Sequence, residues 1–216
     1  MTVVPFRTTA EQEAAVALVR DHLGRGGLLA YPTETVYGLG SRPLTADVER
    51  LAALKGRAVG KPFLLLVASN EMVESHGLWF TEAARAMADA CWPGPLTLIL
   101  SGGAKLPETL RGPEGGIAVR WTSHAGIAHL VASLGYPLTS TSANRPGGPT
   151  APGVAAIAST FTAAVQDGTL MVLDGGVLGN VPPSTVVDCT TPETRLVREG
   201  ALPRAALRAR VGRFAP

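Results

Sequence analysis

With 216 residues, 46% of them hydrophobic and 17% charged, the chain can bury a sizeable core and is too apolar to be disordered; 25 glycines and 17 prolines imply many turns without low complexity. Its formal charge is +2, from 19 basic and 17 acidic residues scattered along the chain, so charge alone calls for no nucleic-acid partner while leaving room for anionic ligands. Residues 1–20 lack a signal pattern, no run approaches the roughly 18 apolar residues of a membrane span, and Cys91 and Cys189 lie far apart outside any Cys-x-x-Cys spacing, which predicts a cytoplasmic protein with buried free thiols and no membrane contact.

In chain order, Thr9 and Gln12 fit a capping box, and Ala14, Val16, Ala17, Leu18 and Leu23 form an apolar stripe that stops at Gly24, predicting a helix. Leu28, Leu29 and Ala30 read as the end of a short buried strand, which Pro32 stops by removing a backbone donor. Thr33, Glu34, Thr35 and Tyr37 then place three hydroxyls and a carboxylate within five residues, and Gly38 and Gly40 permit a sharp turn or close approach to a ligand. This is the build of a binding loop at a strand end, with an ordinary polar turn as the competing reading.

Thr45 is the expected cap of a second helix that faces Val48, Leu51, Ala52 and Leu54 inward and runs out at Lys55 and Gly56. Lys55, Arg57 and Lys61 fall within seven residues, interrupted by Gly56 and Gly60. Cations without an intervening acid repel one another unless an anion sits among them, and two glycines let backbone fold around phosphate; a solvated basic turn is the alternative. The run from Gly56 to Lys61 is one residue short of a phosphate loop and lacks its Ser or Thr, and Gly38, Gly40 and Pro43 miss the third glycine of a dinucleotide fingerprint. His22, His76, His124 and His129 show no metal-ligand spacing, so no protein-held metal is expected.

Strands are predicted over 63–67 and 96–100, separated by an alanine-rich helix over 81–91 and followed by a loop over 101–116. In the strand over 117–121, Arg120 falls on the opposite face from Ile117, Val119 and Trp121 and needs an anion or solvent. A helix over 124–134 ends at Gly135, and a strand over 137–141 leads into a second polar loop, where Thr139, Ser140, Thr141, Ser142 and Asn144 crowd together before Gly147 and Gly148; a turn capping the next helix is the competing reading. A helix near 154–161, strands over 170–173, 185–188 and 195–197, and a helix opened by Pro203 complete the pattern. The last helix carries Arg204, Arg208, Arg210 and Arg213, read as a solvated face, with RNA phosphate contact as the minority reading. Alternating strands and helices make an α/β fold, with ligands expected outside strand ends. With no Ser-His-Asp or Cys-His arrangement, a nucleotide-using enzyme fits better than a hydrolase.

Seven motifs in order, PTETVYGLG, Lys55-Gly56-Arg57 with Lys61-Pro62, WPGPLTLIL, Val119-Arg120, Ser142-Ala143-Asn144, Ser184-Thr185-Val186-Val187-Asp188 and Arg198-Glu199-Gly200, resemble the YrdC family of threonylcarbamoyl-AMP synthases over roughly residues 10–202. The resemblance implies one domain over 1–216, a single twisted mixed sheet flanked by helices with a basic concave cavity, and a C-terminal helix over 203–213. It also implies a nucleotidyltransferase that joins L-threonine, bicarbonate and ATP into threonylcarbamoyl-AMP, releases pyrophosphate, and feeds a tRNA threonylcarbamoyltransferase machinery, with tRNA contact a further implication. By resemblance Lys55 and Arg57 are the catalytic candidates. Arg57, Lys61, Gly116, Ser142, Asn144 and Arg198 would serve ATP, and Thr33, Thr35, Arg120, Ser140 and Ser184 would serve threonine, with Arg120 pairing its carboxylate. Magnesium would arrive with ATP, since no carboxylate stands out as a ligand.

Three positions depart from the family pattern: Leu66 where some members place a histidine, Thr122 in place of a proline, and Arg145 in place of a small apolar residue. The chain also ends soon after the Arg198 motif, so the extra C-terminal domain of longer synthases is expected to be absent and any lid to come from the core or a partner. Two rival readings are an RNA-binding protein using the basic cavity, and a carbamoyl-adenylate-forming relative, like the resembling domain in hydrogenase maturation, that uses carbamoyl phosphate.

Overall fold

Short β-rich runs alternate with helical stripes along the chain, and the computed structural model, which describes residues 2–57 and 62–211, turns that alternation into a mixed α/β structure. The elements in order are β1 (Val3–Pro5), α1 (Thr9–Gly24), β2 (Leu28–Tyr31), β3 (Gly38–Gly40), α2 (Thr45–Lys55), β4 (Leu64–Val67), α3 (Asn70–Ser75), β5 (Leu78–Trp79), α4 (Glu82–Cys91), β6 (Leu96–Gly102), a 3-10 turn (Glu108–Leu110), β7 (Ile117–Trp121), α5 (Ala125–Leu134), β8 (Leu138–Ser142), α6 (Val154–Thr160), α7 (Thr162–Gln166), β9 (Leu170–Asp174), β10 (Thr185–Asp188), β11 (Arg195–Arg198) and α8 (Arg204–Val211). The strands join one mixed sheet in the order β1-β9-β2-β3-β8-β4-β7-β6-β10-β11, with β5 paired to β6. Among the described residues no helix is long and apolar enough to cross a membrane.

Alternation of side chains across the pleat sends the two faces of this sheet into different cores. On one face Leu29 and Tyr31 of β2, Leu66 of β4, Leu138 of β8 and Met171 of β9 pack under α1 and α5. On the other, Leu65 and Val67 of β4, Leu98 of β6, Val119 of β7 and Val187 of β10 pack with residues of α2, α4, α6 and α8. Helices α1 and α5 lie over the β1-β9-β2 and β4 end of the first face.

Three local details differ from the pattern read in the sequence. The first helix is capped one residue earlier: Thr8 accepts from Glu11 N at 3.3 Å, and the Glu11 carboxylate accepts from Thr8 N at 2.8 Å and Arg7 N at 2.7 Å. Both spacings fit a capping box, and the charged carboxylate, which satisfies two backbone donors, prevails over Gln12. Thr45 is the first helical residue of α2 rather than its cap; extended Leu44 precedes it without a side-chain cap, and Gly56, at φ 65°, ends the helix in the left-handed conformation.

The third concerns Gly38 and Gly40, which form strand β3 instead of a turn, antiparallel to β2 and β8. A Cβ at Gly40 would stand 2.2 Å from the carbonyl oxygen of Thr139, and one at Gly38 2.9 Å from the Tyr31 ring. Glycine is needed there because neighbouring strands close in, not because the chain reverses.

Candidate functional site

Ser140 and Ser142 of β8, Ala118 and Arg120 of β7, and Gly38, Leu64, Thr97 and Val186 of the other strands line one cleft of about 270 Å³, completed by Thr33, Thr35, Arg57, Ser184 and Arg198. Period-two alternation explains the pairs 140/142 and 118/120 on one face. The site therefore lies across the face of the sheet, where a position beyond the strand ends was expected. Loops 32–37 and 183–184 contribute to its wall, joined by Arg57 and Pro62.

The loop between β2 and β3 is organised by Thr33. Its Oγ1 accepts from Thr35 N and Val36 N, both at 3.2 Å, and donates to Val36 O at 2.7 Å. With that proton committed, the 3.0 Å contact between the two hydroxyls has Thr35 donating to Thr33. Thr35 Oγ1 is then the acceptor for Arg120 Nη1 at 3.2 Å. Arg120 is only 4% exposed, and the anion its place in the strand called for is Glu34, 3.9 Å away, whose second oxygen accepts from the Thr122 hydroxyl. Sequence reading named Arg120 but missed Glu34 and Thr122 as its supports. Thr97 was missed too; its hydroxyl lies 2.8 Å from that of Ser184.

Arg57 donates from Nη1 to Thr141 Oγ1 at 2.9 Å and from Nη2 to Pro62 O, and its guanidinium lies 4.5 Å above the Phe63 ring. Arg198 donates to Ser184 O through Nε (3.2 Å) and Nη2 (2.8 Å). Burial lowers the pKa of both, and the Arg120 charge adds to the effect at Arg198. Guanidinium groups stay protonated regardless, so three cations share the cleft, and no carboxylate lines it among the described residues.

Lys55 stands behind this wall, 4% exposed. Its Nζ lies 2.5 Å from each of Ser142 O, Asn144 O and Asn144 Oδ1, which uses all three ammonium protons on one turn. Burial and the neighbouring Arg57 charge push the ammonium down to about 8, while the three oxygens oppose that shift by bonding the protonated form. Asn144 is tied further by Ser142 Oγ at 2.6 Å and by its own amide to Gly148 O at 2.6 Å.

The structure brings Thr33, Thr35, Arg57, Arg120, Ser140, Ser142, Ser184 and Arg198 to the cleft, with Lys55 and Asn144 supporting the Ser142 turn. Gly116 is apart from the lining: a Cβ there would stand 2.5 Å from Ile99 Cγ2 and 2.6 Å from Thr190 Cγ2. Lys61, with Gly60, lies outside the described residues, as does Arg213. Of the departures from the family pattern, Leu66 is core beneath α1 and α5, and Arg145 donates to Leu54 O at 2.6 Å and covers the Phe161 ring. Cys91 and Cys189 are buried free thiols, and burial with the nearby Asp188 pushes Cys189 up to about 12. Among the described residues the lining of the cleft pairs hydroxyls with guanidinium groups and holds no His, Cys, Lys, Asp or Glu, a combination suited to aligning anions.

The family model Sua5_yciO_yrdC, described as "Telomere recombination", matches residues 21–200. The chain belongs to this family. Among relatives, the threonylcarbamoyl-AMP synthase of Nitrosococcus oceani is 44% identical over 127 residues, 58% of this chain and 69% of that protein. That of Chromohalobacter salexigens is 38% identical over 191 residues, 88% and 98% of the two chains. The crystal structure of Pyrococcus abyssi Sua5 complexed with L-threonine matches with a TM-score of 0.89 at 30% identity, over 99% of this chain and 62% of that one. This family member thus spans about three-fifths of the length of the archaeal protein.

Proposed function

We propose that this chain, acting as one domain, is a nucleotidyltransferase that converts L-threonine, bicarbonate and ATP into threonylcarbamoyl-AMP and pyrophosphate, for threonylcarbamoyladenosine formation in tRNA. The observation that carries this reading is the cleft itself: the hydroxyls of Thr33, Thr35, Ser140 and Ser184 share it with Arg57, Arg120 and Arg198. A relative of the same fold, solved with L-threonine, and the synthase names of the closely matching relatives support it.

The chemistry asks for this combination. The amine of threonine adds to bicarbonate and water leaves, giving a carbamate; a carbamate oxygen then attacks the α-phosphorus and the bond to the β-phosphate breaks, with pyrophosphate carrying off the charge. Every reacting piece after the amine is an anion, so mutual repulsion is the barrier that fixed cations reduce. Alignment of bound reactants can contribute roughly 7–11 kcal/mol without a covalent intermediate. In this scheme Arg120 pairs the amino-acid carboxylate, beside the hydroxyls of Thr33, Thr35, Ser140 and Ser184. Arg57, Lys61, Ser142, Asn144 and Arg198 serve the nucleotide, Arg57 meeting the reacting phosphate. Lys55 acts through the Ser142–Asn144 turn, and Gly116 acts only through the close packing it allows.

Magnesium fits as a companion of the triphosphate. Among the described residues no cluster of three or more His, Cys, Asp or Glu side chains could hold the ion, so phosphate oxygens would be its ligands.

Pyrophosphate release by the purified protein, with threonine and bicarbonate each supplied or omitted, tests the proposal. Release should require both, with the adenylate detected by mass. Threonine-independent release would overturn it.

A further inference from the structure

We propose that Thr122 and Glu34 are positioning residues that set the guanidinium of Arg120 and thereby the hold of the cleft on its amino-acid substrate. The inference rests on the assignment of Arg120 to the substrate carboxylate made above.

Thr122 is fully buried just past the end of β7, two residues after Arg120. Its Oγ1 accepts from His124 N at 3.2 Å, so its single proton is free to be aimed, and it is donated to Glu34 Oε2. One oxygen of the Glu34 carboxylate is thereby fixed. The other, Oε1, is buried without a hydrogen-bond partner and lies 3.9 Å from Arg120 Nη1. Arg120 Nε is likewise buried without a partner, while Nη1 is drawn to Thr35 at 3.2 Å. Buried charged groups normally satisfy their hydrogen bonds, and an arginine beside a carboxylate normally closes on it in a two-pronged pair. Here neither happens.

The tether at Thr122 accounts for the gap. Glu34 is held back by its far oxygen, close enough to compensate the charge of the buried Arg120 but too far to clasp it. A fully closed pair would neutralise Arg120 and turn it from the cleft; an absent acid would leave a buried cation unpaired and free to reorient. The half-open pair leaves the guanidinium aligned by Thr35 and available to a second carboxylate, that of the substrate.

Isothermal titration of the full chain with L-threonine, and separately with ATP, tests this with Glu34→Gln and Thr122→Val, which keep shape while removing the charge and the hydroxyl. Each should weaken threonine binding about tenfold, the scale of one hydrogen bond to a charged group. ATP affinity should stay within about twofold and Thr122→Ser should restore threonine affinity, a pattern that general destabilisation cannot produce. Equal threonine affinity in wild type and variants would overturn the relay alone. Absence of threonine binding by the wild type would overturn the relay together with the proposed function.

Discussion

Two walls of the cleft are held in different ways. On one, Arg120 and Ser140 project from strands, and Arg120 is oriented by a directed line of hydroxyls through Thr35 and Thr33 to a backbone carbonyl. On the other, a buried ammonium, Lys55, gathers three oxygens of the Ser142–Asn144 turn. The first wall is set by strand register, by hydroxyls and by the Glu34 carboxylate that Thr122 tethers. The second depends on one proton. Positioning by strands and positioning by charge thus meet in a single site, and each can be broken separately.

The largest effect is expected where the two walls meet. Arg57→Ala removes the guanidinium held by Thr141 and Pro62 and should lower kcat by roughly 10²–10³, the range for loss of one preorganised charge-stabilising donor. Thermal unfolding should change little, and near-normal turnover would contradict the assignment. Next, Lys55→Met leaves the oxygens of Ser142 and Asn144 without their donor and should destabilise the fold by about 1–3 kcal/mol in urea unfolding. It should also weaken ATP binding while sparing threonine.

Breaking the strand-borne wall should work through backbone fit. Gly40→Ala brings a methyl group 2.2 Å from Thr139 O, and the strands must part, at a cost of about 1–3 kcal/mol by overpacking, with threonine affinity falling more than ATP affinity.

The smallest effect sharpens the contrast through pH. Lys55 is protonated below about pH 8 and loses its proton above it, so ATP affinity should decline as pH rises through 8, and Lys55→Arg should remove that decline. Stability carries the opposite sign: between about pH 8 and the ordinary lysine value of 10.5 the unfolded chain binds more protons than the folded one. The Lys55 contribution to unfolding free energy therefore rises with pH across that window, measurable as the difference between wild type and Lys55→Met.

Much of this was legible in the sequence wherever one strand or helix decides the outcome. Arg120 announced itself as a charge in a strand of alternating apolar residues, and Ser140 and Ser142 as hydroxyls at a strand end. What escaped reading depends on distant partners. Gly38 and Gly40 look like turn residues until Tyr31 and Thr139 are seen against them. Lys55 reads as an anion-binding cation of a basic turn, yet its acceptors are protein oxygens 87 and 89 residues further along the chain. Glu34 and Thr122 are 88 residues apart, and no local periodicity couples them. The location of the cleft across the sheet face was equally hidden, because it depends on where α1 and α5 leave that face bare.

The most direct test of the central claim is to supply ¹³C-bicarbonate with ATP and L-threonine and follow the adenylate by mass spectrometry and carbon NMR. The account predicts one labelled carbon, as a carbamoyl bonded to both the threonine nitrogen and the AMP phosphate through oxygen, formed in step with pyrophosphate. An adenylate without the label, or pyrophosphate released without threonine, would contradict it.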